Sequence, residues 1–177
     1  MKKVLGLAAA ALVFGAVQLS AQSTNTVQVG IAGGAAIPVG DFADSFNTGF
    51  NGTVTLGIKP LGSPLGFRID GMYNRFNGRN DLAIDQPDAT IIGGTANLVY
   101  SLPGTGIRPY FIGGGGYYGL KLDVSGAEST NKFGINGGIG AAFPLSGFNT
   151  FIEARLHHVM TDNVATNFIP VTFGLSF

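Results

Sequence analysis

The 177-residue sequence has no cysteine and no tryptophan, and charge is sparse: 10 Lys and Arg against 10 Asp and Glu, 11% of the chain. The missing cysteine excludes disulfides, thiolate zinc sites, a cysteine nucleophile and N-terminal lipoprotein anchoring. A formal net charge of zero leaves no basic face for nucleic acid. Soluble domains carry about 25% charged residues, so much of this surface does not face water. Long hydrophobic runs are missing too. Past the N-terminus nothing approaches the roughly 20 apolar residues that a spanning helix needs. What the chain has in quantity is glycine, 29 residues without a G-X-Y period, alongside 45% hydrophobic residues. That pairing excludes collagen and disorder. The length suits one domain with a sizeable core.

Lys2 and Lys3 precede the apolar run Val4–Val17, and the small residues Ser20, Ala21 and Ser23 follow. This order is that of a secretory signal peptide, with an apolar stretch too short to span. Residues 1–21 are expected to be cleaved after Ala21, with the bond after Ser23 as the second choice, leaving a barrel domain over 22–177. The mature chain then has 8 basic and 10 acidic residues, a net charge of −2.

Runs rich in Val, Ile, Phe, Tyr and Thr recur between Gly/Pro/Asn/Asp clusters and predict eight strands. They cover Val27–Pro38, Phe50–Lys59, Leu65–Arg75, Thr90–Ser101, Ile107–Leu122, Lys132–Phe143, Thr150–Met160 and Phe168–Phe177. Alternation is plain in several. Phe67, Ile69, Gly71 and Tyr73 oppose Arg68, Asp70 and Asn74; Ile152, Ala154, Leu156 and Met160 oppose Glu153, Arg155 and His157. In the last strand Val171, Phe173, Leu175 and Phe177 oppose Pro170, Thr172, Gly174 and Ser176. The connectors alternate in length. Pro60–Pro64, Leu102–Gly106 and Pro144–Asn149 are short; Val39–Gly49, Phe76–Ala89, Asp123–Asn131 and Thr161–Asn167 are longer and more polar. Transmembrane barrels have tight periplasmic turns, long outer loops and an even strand count that leaves both termini in the periplasm. Unpaired backbone groups in hydrocarbon cost several kcal/mol each, so the eight strands must close, first against last. The expected fold is therefore an all-β, closed, eight-stranded, antiparallel up-and-down transmembrane barrel. Two aromatic girdles are expected, Phe50, Tyr73, Phe133 and Phe168 toward the outside, Tyr100, Tyr110, Phe143, Phe151 and Phe177 toward the periplasm.

The mature chain, about Val27 to Phe177, resembles the small outer-membrane β-barrel family that includes OmpX, the OmpA transmembrane domain and OmpW. The terminal FIPVTFGLSF (Phe168–Phe177) is the most specific element, and AIPVGDF (Ala36–Phe42) is similar to segments of the broad family. The resemblance implies that Val171, Phe173, Leu175 and Phe177 form the signal read by the barrel-assembly machinery. It also implies outer-membrane lipids and lipopolysaccharide as surroundings. Members serve different purposes, so function is not inherited from the match.

Alternation sends Arg68, Asp70, Asn74, Thr95, Asn97, Asn136, Glu153, Arg155 and His157 into the lumen, with Gln28, Lys59 and Arg108. Charges shut in a narrow barrel must pair. Arg68, Asp70, Asn74, Asn97, Arg108, Glu153 and Arg155 form the expected polar network, read as a structural plug in preference to a gate or proton path. Glu153, His157 and His158 hold no serine nucleophile by pattern, and the two histidines fall on opposite faces, which argues against a lipid-modifying enzyme. Gly114, Gly116 and Gly119 satisfy G-x-G-x-x-G without the following helix that a pyrophosphate site requires. Asp81, Asp85 and Asp88 match no calcium-loop spacing and read as a solvated acidic surface. No catalytic residue, cofactor or metal is expected. The reading is a monomeric, non-enzymatic barrel whose outer loops serve surface interaction or envelope integrity. Its rivals are an OmpW-like transporter of small or hydrophobic molecules, a lipid-modifying enzyme and a soluble lipocalin-like barrel.

Overall fold

The computed structural model describes residues 25–80, 86–104, 106–124, 126–161 and 165–177. The segment read as a signal peptide lies outside them, as do Asp81, Asp85 and Asp162. Eight antiparallel strands close into one barrel in chain order: β1 (Asn25–Val39), β2 (Phe46–Pro60), β3 (Leu65–Gly78), β4 (Ala89–Ser101), β5 (Arg108–Leu122), β6 (Thr130–Leu145), β7 (Phe148–Val159) and β8 (Thr166–Ser176). Closure runs through β1 and β8, from Gly30 opposite Ser176 to Val39 opposite Asn167. At the C-terminus Phe177 and Val29 exchange both backbone hydrogen bonds, at 2.8 and 3.0 Å. No backbone edge is left open to solvent or lipid along this seam.

Side-chain parity decides the two faces, since successive residues of a strand point to opposite sides. Ile31, Val54, Leu56, Phe67, Ile69, Leu98, Ile139, Ile152 and Phe173 are all exposed on the outer wall. Their inward neighbours Asn51, Thr53, Asp70, Asn97, Glu153 and Arg155 are buried. An apolar exterior around a charged interior is the reverse of a water-soluble barrel, and the lipocalin-like rival fails on it. The β2–β3, β4–β5 and β6–β7 turns, of four, six and two residues, lie at one end with both ends of the barrel wall; the β1–β2, β3–β4, β5–β6 and β7–β8 connections, of six, ten, seven and six, lie at the other, the long-loop end.

The first long connection departs from expectation. Residues 39–49 do not form an open loop: a five-residue helix, α1 (Asp41–Ser45), folds over the mouth, and β2 resumes at Phe46. The β2–β3 register shifts between Asn47 and Phe50, and there Gly49 runs so close to β3 that a Cβ would overlap the Arg75 carbonyl. Only glycine permits that approach.

Candidate functional site: the barrel lumen

The midpoint of the lumen is held by two strands. β3 carries Arg68 and Asp70, β7 carries Glu153 and Arg155, and three strands lie between them on either side of a closed ring of eight, so they face each other across the bore. Both strands run the same way, which sets Arg68 opposite Glu153 and Asp70 opposite Arg155. Each guanidinium reaches both acids. Arg68 lies 2.9 Å from Asp70 and 2.8 Å from Glu153; Arg155 lies 2.7 Å from Asp70 and 3.2 Å from Glu153. The four charges sum to zero in a ring of alternating sign. Neighbouring strands complete it: the Asn97 amide donates to Asp70 at 2.9 Å, and the Tyr110 hydroxyl donates to Glu153 at 2.8 Å. Buried charges persist only when paired and hydrogen-bonded in this way.

Two expected members lie elsewhere. Asn74 sits one level nearer the long loops, accepting from Asn51 at 2.7 Å and donating to the Ile91 carbonyl. Arg108 does not join the ring: it donates to Asn149 Oδ1 at 3.2 Å, at the short-turn end. Parity gave Arg108 the right face, but depth separates it from Glu153.

Above the ring the lumen is mostly apolar, with the Asn51–Asn74 pair among it. Met72, Phe76, Ala89, Ile91, Tyr118, Val159, Phe168 and Ala36 form a buried cluster, with Phe42, Phe46 and Leu120 packed on it from the long-loop side. Phe42, on α1, meets Phe76 edge-on at 5.0 Å, and Phe76 meets Phe168 edge-on at 5.6 Å. His157 joins the two layers. Its Nδ1 is 2.8 Å from the Tyr118 hydroxyl, and its ring stacks on Phe168 at 4.9 Å. His158 points the other way, to Asn167 at 2.7 Å. Glu153, His157 and His158 therefore form no relay.

Three aromatic positions are corrected. Phe168, Tyr110 and Phe151 are 0%, 7% and 7% exposed and fill the lumen, so none belongs to a lipid-facing girdle. Phe50, Tyr73, Phe133, Tyr100 and Phe177 do face outward, and Phe50–Tyr73 and Tyr117–Phe133 pair at 5.9 and 5.7 Å. The glycine run serves the interior. A Cβ on Gly114 or Gly116 would overlap the β4 backbone, and Gly93 and Gly134 flank the Tyr118 ring closely enough that a Cβ on either would strike it. These are close approaches of chain and ring, not a phosphate loop. The C-terminal residues Val171, Phe173 and Phe177 are exposed on the outer wall. At the long-loop rim Arg75 reaches Asp88 at 3.0 Å and Asp123 at 2.7 Å. Among the described residues no cluster of His, Cys, Asp or Glu has metal-site geometry.

A family profile described as "Outer membrane protein beta-barrel domain" matches residues 7–177. No curated protein matches the chain significantly. Among solved structures, the barrel is similar to Neisserial surface protein A, with a TM-score of 0.69, 13% identity, and coverage of 87% of this chain and 98% of that one. It is also similar to Ail of Yersinia pestis in complex with a heparin analogue, with a TM-score of 0.51, 21% identity, and coverage of 86% and 97%. A third is the outer membrane enzyme PagL, with a TM-score of 0.50, 16% identity, and coverage of 85% and 98%. At such identities these likenesses establish the fold alone, and they include both an enzyme and surface proteins. Closed topology, apolar wall and a profile spanning nearly the whole sequence converge: the chain belongs to the outer membrane protein β-barrel family and is a protein of the bacterial outer membrane.

Proposed function

We propose that this is a monomeric, non-enzymatic barrel with a sealed lumen, whose outer loops serve surface interaction or envelope integrity. The observation that carries the reading is the Arg68–Asp70–Glu153–Arg155 ring, which spans the bore from wall to wall. An ion crossing it must displace charges that are already matched, and above it the polar side chains Asn51, Asn74 and His157 are already bonded, to one another or to Tyr118, beside the apolar cluster. The enzymatic alternative lacks support, because His157 engages Tyr118 and Phe168 and, among the described residues, no serine bonds to it. The loops carry most of the acids, a concentration of charge at the outer mouth. Cleavage after Ala21, recognition of Val171, Phe173, Leu175 and Phe177 by the assembly machinery, and contact with lipopolysaccharide belong to the same proposal.

Planar-bilayer recording of the refolded protein tests it. No stepwise conductance is expected from the wild type, and Arg68→Ala, which opens a gap in the ring, is expected to introduce one. Steady wild-type conductance would overturn the sealed lumen. A second reading, transport of small hydrophobic molecules, is favoured by a depression of about 520 Å³ at the outer mouth, lined by Phe42, Phe46, Ala89, Ile91 and Leu120. Uptake of an apolar dye into vesicles containing the protein, beyond that of empty vesicles, would shift the proposal to transport.

A further inference from the structure

We propose that the periplasmic mouth of the barrel binds a phosphate group. Below the ionic ring lies a cavity of about 130 Å³, lined by Gln28, Lys59, Ser101, Arg108 and Asn149 and roofed by Arg68. A single water needs only roughly 10–15 Å³ of such space, so a small oxyanion fits with water to spare. These lining side chains come from β1, β2, β4, β5 and β7, on nearly every side of the ring.

The charges there are unbalanced. Arg68 and Arg155 each contact two carboxylates, whereas no carboxylate lies within ion-pair distance of Lys59 or Arg108 among the described residues. Glu153, the nearest acid above, is already held by Arg68, Arg155 and Tyr110. The terminal carboxylate of Phe177 accepts the Val29 amide and lies within ion-pair distance of neither cation. Every other described acid sits at the outer rim or in the ring. Neither cation is a snorkelling lipid anchor, because both are half-buried and line the bore. Two unmatched cations inside one cavity repel each other, and an anion between them relieves that repulsion.

The donors favour phosphate over carboxylate. Ammonium, guanidinium, amide and hydroxyl groups converge from several sides of a closed ring. A tetrahedral phosphate presents oxygens toward several sides at once; a flat carboxylate presents two in one plane. The shared chemistry admits two sources, free phosphate or the headgroup of an inner-leaflet phospholipid.

The test is titration calorimetry at low salt on the mature barrel, folded in a phosphate-free non-ionic detergent. Inorganic phosphate, a short-chain phosphatidic acid and acetate are the three titrants. Lys59→Gln and Arg108→Gln are each expected to weaken phosphate-group binding about tenfold, the loss of one charge-assisted hydrogen bond. Lys121→Gln, at the outer rim, is expected to leave it unchanged, and the heat-dependent gel shift verifies that every variant is folded. Binding of either phosphate source that both mouth variants weaken supports the site, and the tighter source identifies the ligand. Absence of saturable binding, equal binding in the mouth variants, or acetate binding as tightly as phosphate would overturn it. The result is independent of whether the lumen above conducts.

Discussion

At mid-depth the lumen is crossed by four charges from two opposed strands; nearer the outside it is filled by Met72, Phe76, Ile91, Val159 and Phe168. Both layers are buried, yet they do different physical work. The apolar layer gains stability outright, at about 1.5–3 kcal/mol per large side chain fully buried. In the ionic layer desolvation offsets most of the Coulomb attraction, so its net gain is small. What that layer contributes is register. A one-residue slip of β3 or β7 would turn Arg68 and Asp70, or Glu153 and Arg155, out into hydrocarbon. In the apolar layer the penalty of the same slip is uneven: it puts Gly71 or Tyr73 in place of Met72 and Thr90 or Ile92 in place of Ile91, but Arg75 or Asn77 in place of Phe76. The contrast explains why a barrel whose wall is already greasy retains charge at its centre.

Breaking the ring tests this comparison most severely. Arg155→Met leaves Asp70 and Glu153 facing Arg68 alone, and a buried pair broken on one side costs about 3–5 kcal/mol. Urea unfolding of the protein in lipid vesicles reads the loss. Removing Asp70 along with Arg155, as Asp70→Leu with Arg155→Met, leaves the Arg68–Glu153 pair balanced, and most of that loss is expected to return. A double variant as weak as the single one would mean that the ring does not act through pairing. The apolar layer should behave in the ordinary way for a packed core. Ile91, 1% exposed, changed to Val, loses one methylene and about 0.5–1.5 kcal/mol, with no partner substitution to recover it.

Much of this was legible from parity alone. Eight strands, their closure and the inward direction of Arg68, Asp70, Glu153 and Arg155 all follow from counting by two. Even the cross-bore pairing was within reach, since β3 and β7 must oppose each other in a ring of eight. For the aromatics, parity is the stronger guide and position along the strand the weaker. Phe168 shares a face with Pro170 and Thr172, Tyr110 with Arg108, and Phe151 with Glu153, so counting by two already placed all three inside. Depth itself was the missing coordinate. It depends on register, which no single strand encodes, and parity puts Arg108 on the same face as Glu153 without fixing the distance between them. The α1 helix and the early start of β2 were hidden by Gly40 and Gly49, which read as loop residues but serve a turn of positive φ and a close strand approach.

The smallest effect expected is at the outer rim, where charges pair in reach of water. Asp88, just before β4, accepts the Gly78 amide at 3.0 Å and pairs with Arg75 at 3.0 Å. The Gly78 N–H, aided by the Arg75 charge and opposed by partial burial, holds its carboxyl below the usual carboxylate range. A depressed carboxylate adds stability above its unfolded pKa, near 3.9, and that stability is lost as pH falls through the lower folded value. The Gly78 amide should therefore exchange faster below about pH 4 than at pH 6, after correction for intrinsic exchange, and Asp88→Asn should abolish the difference. Because Asp88 is about one-third exposed, solvent screening keeps the effect local, and the global unfolding midpoint should hold within experimental scatter. A large global shift with Asp88→Asn would mean that the rim is coupled to the ring. The division of labour between a charged layer that sets register and an apolar layer that supplies stability would then need a third member.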